Sequence, residues 1–187
     1  MAIDSEPERV AQPADPQPPL QPVLEPLRVL LGTWRGEGRG IYPTIESFRY
    51  LEEVRFWHVG KPFLGYEQRT RSPETRLPMH TESGYWRVLL GAGDAAEGAR
   101  DAASLEVVLA HPTGLAEVLV GEIDGTRITL ATATVARTPT AKEVSAVERR
   151  FVLEDEDTLA YEVHMAAVGQ PLQLHLAATL HRVDEAG

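Results

Sequence analysis

Cysteine is absent from all 187 residues of the chain, which excludes disulfides, zinc–thiolate sites and iron–sulfur clusters. Any metal must therefore be held by His, carboxylate, Tyr or Met side chains. Positive charge is scarce: 18 Lys and Arg stand against 28 Asp and Glu, for a formal net charge of −10. That balance argues against nucleic acid or an anionic membrane as a partner, since both select a basic patch. Long apolar runs are missing too, and no segment approaches the roughly 20 apolar residues of a membrane span. Met1 to Asp15 is acidic and has no apolar stretch of the signal-peptide kind, so the expected location is cytoplasmic. Also lacking are a Gly-x-Ser-x-Gly elbow, a P-loop, a dinucleotide fingerprint and a His-x-x-x-His pair.

What is present divides into two parts. Residues 1–24 carry Asp4, Glu6, Glu8 and Asp15 among Pro7, Pro13, Pro16, Pro18, Pro19 and Pro22, a composition that cannot bury a core and reads as a disordered leader. Residues 25–187 suffice for one domain. Leu24, Leu27, Leu30 and Leu31 have helical spacing, with Pro26 tolerated if it lies in the first turn. Beyond Gly32 the chain reads as runs rich in Val, Thr, Tyr, Phe and Leu, predicting strands over 32–39, 46–57, 62–70, 80–90, 103–110, 115–122, 126–136, 143–154, 157–167 and 171–183. Asp124-Gly125 predicts a two-residue hairpin, and His58-Val59-Gly60-Lys61-Pro62 and Gly169-Gln170-Pro171 predict further turns. Gly91 to Arg100, small and polar, predicts a surface loop. Ten short strands joined mostly by hairpins predict an all-β, antiparallel up-and-down barrel.

The segment Gly32-Thr33-Trp34-Arg35-Gly36-Glu37-Gly38-Arg39-Gly40 repeats glycine around one tryptophan. Glycine tolerates φ > 0 and close backbone approach, as a tightly coiled strand requires, and a Trp among glycines can plug one end of a barrel. The motif looks like the first strand of lipocalin-like and fatty-acid-binding-like barrels. On that reading it builds the fold and touches no ligand.

The last predicted strand separates Leu172, Leu174, Leu176, Ala178 and Leu180 from Gln173, His175, Ala177, Thr179 and His181. Either the leucines face inward and the histidines meet solvent, or a face of His, Ala and Thr lines a cavity beside one imidazole. In the second case the leucines would pack under the N-terminal segment or form a dimer contact. Spacing leaves both open. His58 and His111 fall in turns and read as surface residues, and His164 shares a face with Glu162, the wet one. His80, at a strand start, could point into a barrel mouth. His80-Thr81-Glu82 spells the His-x-Glu of zinc deaminases, but the Cys partners of that motif do not exist here.

Several separated motifs together resemble the nitrobindin family. They are Gly32-x-Trp34-x-Gly36-x-Gly38, Tyr42-Pro43-Thr44, Tyr50-Leu51-Glu52-Glu53-Val54, His58-Val59-Gly60-x-Pro62, Pro78-Met79-His80-x-Glu82-Ser83-Gly84-Tyr85, Thr113-Gly114-x-x-Glu117-Val118 and Gln170-Pro171-Leu172-x-x-His175-Leu176. The resemblance spans about residues 28–183. It implies a ten-stranded barrel, similar to fatty-acid-binding proteins, that holds non-covalent haem b with His175 as the iron ligand. It further implies that Thr44 lies beside the haem, that Met79 and His80 line the cavity, and that Lys142 lies near the haem edge. The activity it implies is isomerisation of peroxynitrite to nitrate, together with reversible NO binding. The expected partners are thus peroxynitrite and NO, with no nucleic acid and no membrane, and a homodimer is allowed. The alternative is a non-enzymatic barrel that carries a lipid or other apolar molecule, with His175 structural.

Overall fold

The computed structural model describes residues 18–89 and 102–183. The leader as far as residue 17 and the loop expected over 91–100 lie outside the described residues. A 3₁₀ helix, η1 (Pro22–Leu30), precedes ten strands: β1 (Gly32–Tyr42), β2 (Ile45–Trp57), β3 (Leu64–Arg71), β4 (Pro78–Val88), β5 (Ala103–His111), β6 (Leu115–Asp124), β7 (Arg127–Arg137), β8 (Val144–Leu153), β9 (Thr158–Ala167) and β10 (Gln173–Val183). Each strand pairs antiparallel with the next, and β1 pairs with β10 to close the barrel. The expected fold and strand order are the observed ones, with strand ends differing by at most three residues.

The hairpin expected at Asp124-Gly125 is shifted by one residue. Asp124 pairs with Arg127, so the loop is Gly125-Thr126, and Gly125 takes φ +57° at the first central position. Glycine's freedom at that position is what fixes the turn.

Sequence spacing also decides the form of η1. Leu24, Leu27 and Leu30 recur every third residue, the period of a 3₁₀ helix, and all three are fully buried. The helix begins at Pro22, so Pro26 lies in its interior rather than in its first turn as expected. An α-helix would drive the Pro26 ring into the carbonyl of Pro22, whereas 3₁₀ winding bonds to i−3 and loses only one donor. The boundary expected at residue 24 thus falls inside the helix. Upstream, Gln21 Nε2 donates to the Gly60 carbonyl at 2.9 Å.

Trp34 and η1 close one end of the barrel. Trp34 is fully buried and donates from Nε1 to the Leu30 carbonyl at 2.8 Å. The Arg182 guanidinium lies 4.2 Å over the Trp34 ring and donates to the carbonyls of Val29, Leu31 and Glu156. The glycines of β1 serve space more than dihedral freedom, for only Gly32 among them has positive φ. A Cβ on Gly36 would strike the Thr179 carbonyl oxygen of β10, and one on Gly38 the Tyr50 ring.

The choice left open for β10 is settled by a β-bulge. Leu174 pairs with His164 and Leu176 with Val163, so His175 is an extra residue on β10. A bulge re-aims side chains that strict alternation would send to the opposite face. Both His175 and the leucines Leu176 and Leu180 therefore line the interior. A dimer contact through those leucines is thereby excluded. His181 lies beyond the bulge and is exposed, on the outer face rather than sharing a face with His175 as alternation predicted.

Candidate functional site

The barrel encloses a cavity of about 640 Å³ that opens at the end opposite η1. Its rim is formed by the turns β1–β2 (Thr44), β5–β6 (Thr113), β7–β8 (Thr140 to Glu143) and β9–β10 (Val168). Phe48, Val54, Val147, Phe151, Val163 and Leu176 give it apolar walls. Trp34 does not line it. Thr44, Met79, His80, Lys142 and His175, the five residues singled out from the sequence, all do.

The bulge brings His175 to the wall, where its ring stands edge-on to Tyr42 with centroids 5.3 Å apart and planes at 75°. The Tyr42 hydroxyl accepts from the Ala167 N–H at 2.8 Å and donates to the Ala167 carbonyl at 3.0 Å, which fixes it between β1 and β9. His175 Nδ1 lies 3.2 Å from the Ile41 carbonyl oxygen. A carbonyl can only accept, so the ring proton sits on Nδ1 and Nε2 keeps its lone pair. Burial lowers the His175 pKa, which the bond to Ile41 offsets only in part, so the imidazole is neutral at pH 7.

Across the lumen lies a polar wall. On the ring of ten strands, β4 and β5 are the fourth and fifth from β10 by way of β1. Arg149 of β8 grips Glu82 of β4 with Nη1 and Nη2, at 2.6 and 2.9 Å, and reaches Glu117 of β6 at 3.0 Å. Tyr66 of β3 donates to Glu82 Oε1 at 2.8 Å. His111 ends β5 with Nδ1 3.4 Å from Glu82 Oε2 and Nε2 3.3 Å from Glu117 Oε1, and His80 Nε2 is 3.3 Å from His111 Nδ1. Deeper still, Tyr161 and Gln68 donate to Glu52 at 2.7 and 2.6 Å, and Tyr50 meets Tyr161 at 3.0 Å.

These partners set the charges. Burial raises the Glu82 carboxyl, but the Arg149 charge and its hydrogen bonds outweigh burial and hold it at about 2. The same opposition lowers Glu117. Glu52 lies further from Arg149 in effect, so burial wins and raises it to about 7. Burial also lowers His80, favouring the neutral ring.

His111, read from the sequence as a surface turn residue, belongs to this interior, its side chain 6% exposed. The Pro112-Thr113-Gly114 turn that suggested exposure starts one residue later. His164 and His58, both read from the sequence as solvent-facing, are half-buried, His164 in β9 and His58 in the β2–β3 connection, and neither lines the cavity. Glu52, Glu82, Glu117 and Arg149 were missed as site residues. The signal for them was parity: His80 and Glu82 share a face with buried Trp86, Glu117 with Leu119, Arg149 with Phe151, and Glu52 with Phe56.

A neutral imidazole with a free Nε2, an apolar chamber, and Lys142 at its rim form a donor set that fits haem. The Nε2 can bind iron, the walls can cover a porphyrin, and the ammonium can meet its carboxylates.

Known proteins share this architecture. Residues 23–182 match the family described as THAP4-like, heme-binding beta-barrel domain. Peroxynitrite isomerase 2 of Mycobacterium avium (strain 104) is 50% identical over 167 residues, which cover 87% of this chain and 96% of that protein. Peroxynitrite isomerase 1 of Mycobacterium tuberculosis (strain H37Rv) is 48% identical over 170 residues, with the same coverage. The crystal structure of Rv2717c from M. tuberculosis superposes with a TM-score of 0.79 at 46% identity, covering 89% of this chain and all of that one. The S-type phycobiliprotein lyase CPES from Guillardia theta, at 12% identity and a TM-score of 0.59, shares the fold alone; that match covers 87% of this chain and 93% of that one.

Proposed function

The chain belongs to the family of THAP4-like haem-binding β-barrel domains, and from that premise we propose that it is a haem-dependent peroxynitrite isomerase in which His175 is the protein's ligand to iron. The observation that carries the reading is the bulge, which turns His175 into the cavity with Nδ1 bonded to Ile41 and Nε2 left for a metal. Haem held by one imidazole supplies an iron position open to peroxynitrite or NO, and with it the conversion of peroxynitrite to nitrate.

The chain's own residues bind, orient and shield. The Ile41 carbonyl fixes the His175 tautomer and raises the basicity of Nε2, as a carbonyl behind a metal-bound His does. Tyr42 holds the ring by its edge. Lys142, exposed at the rim, would pair with a haem carboxylate, and Thr44 lies at the same opening. Met79 and His80 line the part of the cavity across from His175. There His80 Nε2 lies 3.3 Å from His111 Nδ1, so the two imidazoles present a polar surface to the lumen. Haem held by His175 would also supply a site for reversible NO binding.

Reconstitution with haemin tests the proposal. The wild type is expected to give a strong Soret band and to speed nitrate formation when peroxynitrite is mixed in a stopped-flow cell. His175→Ala should lose tight haem binding yet keep its β-sheet circular dichroism, because this imidazole supplies the one directional bond. His181→Ala, altered on the outer face, should behave as wild type. A full Soret band in His175→Ala, or its loss in His181→Ala, would defeat the assignment. Absence of haem uptake by the wild type, with retention of a fatty acid instead, would favour the apolar-carrier reading.

A further inference from the structure

The geometry points to a second metal site, in the cavity wall across from His175, in which His80 Nε2, His111 Nδ1 and Glu82 Oε2 bind a divalent cation of the zinc class. The three ligand atoms lie within 4.8 Å of one another. Ligands 2.0–2.1 Å from a tetrahedral ion stand about 3.3–3.4 Å apart. His80 Nε2 to His111 Nδ1 is 3.3 Å, and His111 Nδ1 to Glu82 Oε2 is 3.4 Å. Without an ion, both contacts compete for the single His111 Nδ1.

Two further observations converge on the same place. The first is charge. Glu82 and Glu117 bring two negative charges into the lumen, and among the described residues Arg149 is the one permanently charged cation bonded to both, so the second charge is met either by a protonated His111 or by a bound cation. A cation there is stabilised by a low-dielectric surrounding that would penalise the uncompensated anion. The second is the arrangement behind the ligands. His111 Nε2, buried and without a hydrogen bond, lies 3.3 Å from Glu117 Oε1, close enough for that carboxylate to orient the imidazole once a metal holds its other nitrogen. Glu82 is held by Tyr66 and Arg149, which take both sites on Oε1 but only one on Oε2, leaving a lone pair there for the metal. Two imidazoles and one carboxylate suit Zn²⁺, Co²⁺ or Fe²⁺ and disfavour Mg²⁺ and Ca²⁺. All three ligands line the cavity, so the ion's remaining position faces the lumen and accepts water or a small anion. The His-x-Glu of β4 thus finds its third ligand at the end of β5. The site stands independently of the haem reading and operates beside it.

Titration of the full-length chain, stripped with chelator, with Co²⁺ and then Zn²⁺ tests the site. One Co²⁺ per chain is expected, with the intense visible absorption of tetrahedral coordination, displaced by Zn²⁺. His80→Ala and His111→Ala should each weaken binding by more than about 100-fold, and Glu117→Gln, which removes a partner behind a ligand, by about 10–100-fold. His175→Ala should leave binding unchanged, and circular dichroism establishes that each variant is folded. If His111→Ala fails to fold, half-buried His80, near the rim, still carries the test. No stoichiometric uptake by the wild type would overturn the site. So would binding that survives His80→Ala but is lost with His175→Ala. Haemin-loaded protein should take up Zn²⁺ at the same stoichiometry, and failure there would overturn its operation beside haem. Because His175→Ala probes haem alone, either proposal can fail without obscuring the other.

Discussion

Glu52 is a carboxyl held where charge is disfavoured, with Tyr161 and Gln68 donating to it and its proton retained up to about pH 7. The folded state binds this proton more tightly than the unfolded chain, whose carboxyl titrates near 4.5. The stability it contributes is therefore complete below about pH 4.5 and is lost as pH rises to about 7. Glu52→Gln removes that loss. The variant should exceed the wild type by about 2–3 kcal/mol at about pH 8 and by much less at about pH 5, read from urea unfolding at both values. An equal gain at both would assign the effect to packing. The site was only partly legible at this scale. The family resemblance named His175, Thr44, Met79, His80 and Lys142 as candidates, and all five line the chamber, whereas charged residues at inward positions look like breaks in a pattern until the parity of their apolar neighbours is followed. Glu82 beside Trp86 and Arg149 beside Phe151 are of this kind.

At the scale of elements, alternation of Val, Tyr, Phe and Leu located all ten strands, and three-residue leucine spacing located η1. A bulge leaves no mark in composition, which is why the inward turn of His175 could not be derived from the period of β10. The closed end is built by contacts between elements. Trp34 of β1 packs under η1, bonds Leu30, and carries the Arg182 guanidinium of β10 on its face. Trp34→Ala should cost about 3–5 kcal/mol, through lost packing and a cavity left behind. Because Trp34 does not line the chamber, haem spectra of the folded fraction should be unchanged. A stable variant with a displaced Soret band would place Trp34 against the ligand instead.

At the scale of the whole molecule, nine of the ten strand pairings join neighbours in sequence, and only β1–β10 joins the two ends of the barrel. Local hairpins close cheaply and early, whereas the last pairing must wait for the chain between to be ordered. The ring therefore has a seam, and the seam is the late event in folding. Leu180→Ala, opposite Gly36 on the seam, should speed unfolding and leave refolding nearly unchanged. Ile128→Val in the β6–β7 hairpin should slow refolding by the larger share of its cost. Stopped-flow chevrons distinguish the two, and the reverse pattern would move closure to the start of folding. His175 belongs to β10 and its carbonyl partner Ile41 to β1. Whatever binds through that imidazole thus staples the seam, lengthening the lifetime of the closed ring without hastening its closure.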